Sequence, residues 1–430
     1  MKKLIPLLFL SGILLSCTHT QNRFRTFPLS EASPESVGMS SGRLARIDSM
    51  LNQAVRQNKI PGAVALVARH GKIVFHKAFG SADNQSGRIM KKDDIFRIAS
   101  QTKAITATAV MMLWEEGMFR LDDPVSLYIP EFRNPQVLKD FNPKDSSYTT
   151  IPAASEITIR ELLTHTSGVG YGMIDGDDRF RKIYQKAGII DAFTTSNITV
   201  AENIKKLAKM PLHFNPGEKY SYSEGLDILA YLVELRSGMP FDKFLRERIF
   251  DPLGMNDTWF YLPDEKSSRL VTVQYPENGK WKRFPITFYN PDYPITGARK
   301  YFAGGAGLSS TARDYATFLQ MYLNGGELNG KRLLSRTTIQ AIMGNQNRKI
   351  WGADAESYYG LAFSVTTKQG QDKGGVGNEG TFSWGGYFNT SYFADQRDGI
   401  IGVLMKQTQE TTDDDTGWKF SILVGQAVDD

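Results

Sequence analysis

"RIASQTKAITATAVMMLWEEG", residues 97–117, decides how the rest of this chain is read. Ser100 and Lys103 stand three residues apart at the mouth of an apolar run through Ile105, Val110, Met111, Met112, Leu113 and Trp114. A helix apolar on every side belongs inside a protein. Residues three apart on a helix share a face, about 5–6 Å from one another. A serine in the first turn lies near free backbone N–H groups and the positive end of the helix dipole. A lysine one turn deeper points back toward it. A serine hydroxyl needs a base to become a nucleophile, and an ammonium drawn into an apolar lobe loses hydration and gives up its proton more readily. Taken alone, the spacing reads first as an N-capping serine followed by a lysine that reaches out to solvent.

Outward from this stretch, the chain has the makings of a buried two-lobed core. It has 430 residues, 41% hydrophobic and 23% charged, with a net charge of +5 and no dense Lys/Arg block. Without Lys2 and Lys3 the balance is +3, which is no footprint for nucleic acid. "MKKLIPLLFLSGILLSC" has a basic start and an apolar stretch, Leu4 to Leu15. That stretch is short of the roughly 20 residues a membrane span needs but suits a secretory signal. Leu14, Leu15, Ser16 and Cys17 resemble a bacterial lipobox, with Cys17, the only cysteine, as the lipidated residue. The expected division is a lipoprotein signal peptide over 1–16, a lipidated Cys and polar tether over 17–29, and a folded domain over 30–430. Export leaves no second cysteine for a disulfide, thiolate metal site or thiol nucleophile. The expected place is the bacterial cell envelope, on the periplasmic or outer-membrane side, with membrane contact through acyl chains on Cys17.

Within 30–430, Leu44, Ile47, Leu51 and Val55 mark a core-facing helix over about 43–56. "GAVALVARHGKIVFHKAFG" reads as a hairpin turning at His70 and Gly71. Residues 96–250 read as mainly helical, and 262–302, rich in Pro and aromatics, either as a stretch packed on the surface or as a loop wall beside a pocket. "YYGLAFSVTT", "TSYFADQ" and "GIIGVLMKQ" read as strands. The pattern predicts an α+β fold: an antiparallel sheet built from both chain ends, flanked by helices. The sheet lobe would take about 30–95 and 300–430, and the inserted helical lobe about 96–300. "GMSSG", residues 38–42, matches a hydrolase nucleophile elbow but lacks the preceding strand, so Ser40 or Ser41 reads as a helix cap. The five histidines form no H-E-x-x-H pair, no metal or other cofactor is indicated, and His165 reads as a structural loop residue.

"FRIASQTK" is followed in order by "DDPVSLYIPEF", "ITIRELLTHTSGVGYG", "FNPGEKYSYSEGLDIL", "LRERIFDPLGMNDTWF" and "GGAGLSSTARDYATFL". Together these segments resemble the serine β-lactamase, penicillin-binding protein and family VIII carboxylesterase superfamily over nearly the whole mature chain. The resemblance implies Ser100 as acylated nucleophile, Lys103 as its proton partner and Tyr222 as the base that later activates water. It places the second motif on Tyr222, Ser223 and Glu224, and the third on the strand segment Trp384, Gly385 and Gly386. The oxyanion hole would be the N–H groups of Ser100 and Tyr387. Glu224 stands where the β-lactamases carry Asn and Trp384 where they carry Lys, positions that help hold the drug's amide and carboxylate. These departures, with Asp227 five residues after Tyr222, look more like the carboxylesterases. The leading expectation is a serine hydrolase acting on a small ester or amide. The alternatives are a D-amino-acid peptidase or weak β-lactamase acting on cell-wall peptides, and a non-catalytic sensing lipoprotein. Oligomeric state is left open.

Overall fold

The computed structural model describes residues 28–375 and 377–430. The expected signal and Cys17 lie outside the described residues. The fold is α+β, with a central sheet assembled from both chain ends. The elements that position the site are β1 (Ser30–Glu31), α1 (Ser41–Arg56), β2 (Gly62–Arg69), β3 (Lys72–Asp83), α2 (Thr102–Glu115), α3 (Gly225–Ser237) and α4 (Ala312–Leu323). They continue with β4 (Ser357–Tyr359), β5 (Ser364–Thr366), β6 (Phe382–Gly386), β7 (Thr390–Asp395), β8 (Ile400–Met405) and α5 (Thr416–Gly425). Sheet order is β1-β3-β2-β8-β7-β6-β5-β4, antiparallel except for the parallel β1–β3 edge.

β2 explains the layering. All eight of its residues are buried, but successive side chains leave opposite faces. Ala63, Ala65 and Val67 join α1 and α5 through Leu44, Ile47, Leu51, Phe420 and Val424. Val64, Leu66 and Ala68 face the larger core that holds α2. A strand covered on both sides can therefore be apolar throughout. α1 starts where Ser40 Oγ accepts the Arg43 amide at 3.3 Å, so "GMSSG" is a cap. α2 packs on α3, shares the larger core with Val64, Leu66 and Ala68 of β2, and meets α4 where Thr108 Oγ1 lies 2.7 Å from Tyr322 Oη; residues 102–113 are all buried.

Three expectations need correction or refinement. "YYGLAFSVTT" is two strands, β4 and β5, because Leu361 and Phe363 dive into the core between them and Ala362 takes a left-handed φ of 68°. Residues 96–250 include a hairpin, Gln136–Phe141 with Tyr148–Pro152, and 274–283 forms another. The stretch around 262–302 also supplies Val273, Phe284, Tyr289 and Tyr293 to an apolar cluster that includes Ala99 and Phe388.

Candidate active site

Ser100 sits in the 3-10 turn Ala99–Gln101 that leads into α2, half-buried among buried neighbours. Ala99 has φ +42°, a left-handed conformation that a residue with a Cβ adopts only at a cost. The turn is anchored before and after. Arg97 is buried and donates to the carbonyls of Val271 and Pro291, each at 2.6 Å. Ile98 N donates to Leu308 O at 3.0 Å, and Tyr315 Oη to Gln101 O at 3.0 Å.

Lys103, the second residue of α2 and one turn beyond Ser100, is wholly buried. Its Nζ donates to Gly305 O at 2.7 Å and Tyr171 Oη at 3.3 Å. It also lies 4.5 Å from the Tyr222 ring centre and 5.5 Å from that of Tyr171. The two tyrosine rings stack at 5.7 Å, and Tyr222 Oη has no hydrogen-bonding partner among the described residues. Tyr222 therefore flanks the ammonium while Tyr171, in "GVGYG", touches it. A tyrosine 68 residues away carries no local sign of this contact.

Gly305 is the hinge of the electrostatics. Its carbonyl receives Lys103, and its N–H donates to Asp227 Oδ1 at 3.1 Å. A Cβ there would collide with Asp227, so glycine is required by close approach. Asp227, on the first turn of α3, is fully buried; desolvation pushes its carboxyl up to about 6, partly opposed by Lys103. His165 is the structural loop residue expected: it has φ +55°, and its Nδ1 lies 3.0 Å from Ser223 Oγ and accepts the Ser223 amide at 3.2 Å. Burial and Lys103 hold its imidazole well below the usual range, so it is neutral. It packs 4.6 Å from the Tyr222 ring and fixes the segment that presents it.

β6 brings the third motif to the Ser100 turn. Its end packs on the Ala99–Gln101 turn, and a Cβ on Gly386 would strike Ile98 O. This close approach sets Tyr387 at the mouth, with its carbonyl held by Gln409 Nε2 at 2.6 Å. Trp384 meets the Tyr222 ring at 5.8 Å in a tilted contact and the Tyr359 ring edge-on at 5.0 Å, so an aromatic wall stands at that position. Glu224 is buried with its carboxyl beside Asp191 rather than solvent. The arrangement unites Ser100, Lys103, Tyr222 and the 384–387 strand, and adds Tyr171, Gly305 and Asp227.

Similarity to known proteins agrees with this geometry. The chain is 33% identical over 383 residues to esterase EstB of Burkholderia gladioli, covering 85% of this chain and 90% of the relative. It is 28% identical over 411 residues to a lovastatin esterase of Penicillium rubens, covering 88% and 100%. Among solved structures it resembles EstCE1, a hydrolase with promiscuous acyltransferase activity, with a TM-score of 0.75, 25% identity and coverage of 89% and 98%. The Beta-lactamase family model matches residues 47–426. Fold, site and similarity over most of the chain lead to one conclusion: this protein belongs to the Beta-lactamase family.

Proposed function

We propose that the protein is an esterase-like serine hydrolase that works through an acyl-enzyme on Ser100 with a small ester substrate. The observation that carries the reading is a buried lysine one turn behind a half-buried serine, hydrogen-bonded to a phenol and a carbonyl. Ser100 Oγ attacks the ester carbonyl, and its proton passes into the Lys103–tyrosine set. That set returns a proton to the departing alcohol and then takes one from the attacking water. The oxyanion faces the N–H groups of Ser100 and Tyr387; a donor of this kind contributes about 10²–10³ in rate. The aromatic wall at Trp384 favours an uncharged leaving group over a carboxylate-bearing one. We further propose export and lipidation at Cys17, supported by "MKKLIPLLFLSGILLSC"; Cys17→Ala should release the protein from membranes.

The test is p-nitrophenyl butyrate hydrolysis by a Cys17→Ala chain, beside its Ser100→Ala counterpart. Turnover only with Ser100, and a butyryl adduct on its peptide by mass spectrometry, supports the reading. Equal rates in both would overturn it. An inert enzyme labelled stably by fluorescent penicillin would move the assignment to a cell-wall peptidase.

A further inference from the structure

Glu224 is 1% exposed, and among the described residues neither of its carboxyl oxygens has a hydrogen-bonding partner; the same is true of Asp191 Oδ1. Yet these two carboxyl groups meet side chain to side chain. Carboxylates only accept hydrogen bonds, so two of them cannot bond each other. One proton placed between them gives Asp191 Oδ1 a donor and Glu224 an acceptor. Asp191 already accepts the Met173 amide through Oδ2, and a Cβ on Gly172 would collide with its carboxyl. Asp191, partnered by a backbone N–H, is the better carboxylate, and Glu224, which receives none, is the group that keeps the proton.

The location gives this pair its consequence. Glu224 follows Tyr222 by two residues and its own amide donates to Gly170 O at 3.2 Å. Asp191 holds the turn immediately after Tyr171. We propose that Glu224 is a positioning residue: as a protonated carboxyl donating to Asp191, it staples the Tyr222 segment to the Tyr171 turn and keeps both phenols against Lys103. The claim of an effect on turnover rests on the serine-hydrolase reading; the shared proton does not.

Burial, and then the charges of Asp191 and Asp227, hold the Glu224 carboxyl well above the usual carboxylate range. Burial also raises Asp191. The groups facing the pair are Tyr171 and Asp175 on the 170–175 turn, with Asp175 bonded to His213, and Tyr184 on the following helix. Tyr301 faces it from the 301–305 segment, Asp227 from α3 and Lys103 from α2. Ionising Glu224 would set a second negative charge against Asp191 among mostly neutral phenols, while Lys103 is already engaged by Tyr171 and Gly305. The staple should therefore fail as pH rises.

Two measurements test this on the Cys17→Ala chain, with circular dichroism confirming that each variant is folded. The first is the infrared difference between wild type and Glu224→Gln at pH 7. The result expected is loss of one protonated-carboxyl C=O band; an unchanged band overturns the shared proton whether or not the protein is an esterase. The second is kcat/KM against pH. Glu224→Ala should lower kcat about tenfold, the scale of one charge-assisted hydrogen bond. Glu224→Gln, which keeps a donor, should recover most of that loss and move the alkaline limb up by about one pH unit or more. An active enzyme whose alkaline limb is the same in wild type and Glu224→Gln overturns the positioning role.

Discussion

Lys103 and Lys406 are both buried, yet they sit in opposite electrical settings. Lys406, just after β8, is ion-paired to Asp414 and donates to Thr416 Oγ1 at 2.9 Å, with both charged side chains 4% exposed. That pair pins the start of α5 to the sheet. Lys103 has neutral oxygens as partners, Tyr171 Oη and Gly305 O, and meets Asp227 only across the Gly305 peptide. Burial lowers the Lys406 ammonium from the usual lysine range, the Asp414 charge opposes that fall, and the closed pair serves the fold. Lys103 instead ends on a phenol and a carbonyl beside the half-buried Ser100. The residue type is the same; the partner decides the role.

The largest effect should come from Lys103→Met. Activity should fall by about 10²–10⁴, the range for losing a proton-transfer group. Thermal stability should stay close to wild type, because no carboxylate loses a direct ion-pair partner and Asp227 can take up a proton. A large fall in melting temperature would break the contrast between the two lysines.

Lys406→Met should do the reverse. It leaves Asp414 buried without its cation, which costs about 3–5 kcal/mol, while kcat per folded molecule is retained. Denaturant unfolding measures the cost, and the Lys406→Met/Asp414→Leu double variant should recover much of it. Similar losses in the single and double variants would show that the pair is not what holds α5.

The smallest effect sharpens the Asp227 side of the comparison. Its folded-state carboxyl is pushed up to about 6 from an ordinary 3.8, so between those pH values the folded protein binds more protons than the unfolded chain. That contribution to stability is complete below about pH 4 and is lost as pH rises through 6. Asp227→Asn removes the titration and should flatten this part of the stability–pH curve by roughly 1–3 kcal/mol. A curve of unchanged slope would place Asp227's charge elsewhere than the Lys103 relay.

Much of this site was legible because its first members are local. Ser100 and Lys103 are one helical turn apart, and the apolar run behind them declares a buried helix. Trp384 to Gly386 could be placed by order along the chain. Tyr171 could not be chosen over any other buried tyrosine, since its tie to Lys103 crosses 68 residues. Gly305 lay within a quoted segment, but its part is a carbonyl, and backbone groups carry no residue signature; this one is 202 residues from the lysine it receives. Glu224 was visible as a departure, yet nothing in "YSEGLD" points to Asp191.

The division follows from the range of the forces. Periodicity, capping and the spacing of Ser100 and Lys103 act within a few residues, so the amino-acid sequence by itself determined α1, the β2–β3 hairpin, the buried α2 and the Ser100–Lys103 pairing at its mouth. It also determined that both chain ends would supply strands, through their β-rich apolar runs. Only the tertiary structure decided which polar groups close around each buried charge: Asp414 on Lys406, Tyr171 and Gly305 on Lys103, Asp191 on Glu224. Burial strips water from all of them, and the partner that replaces the water comes from wherever the fold brings the chain back.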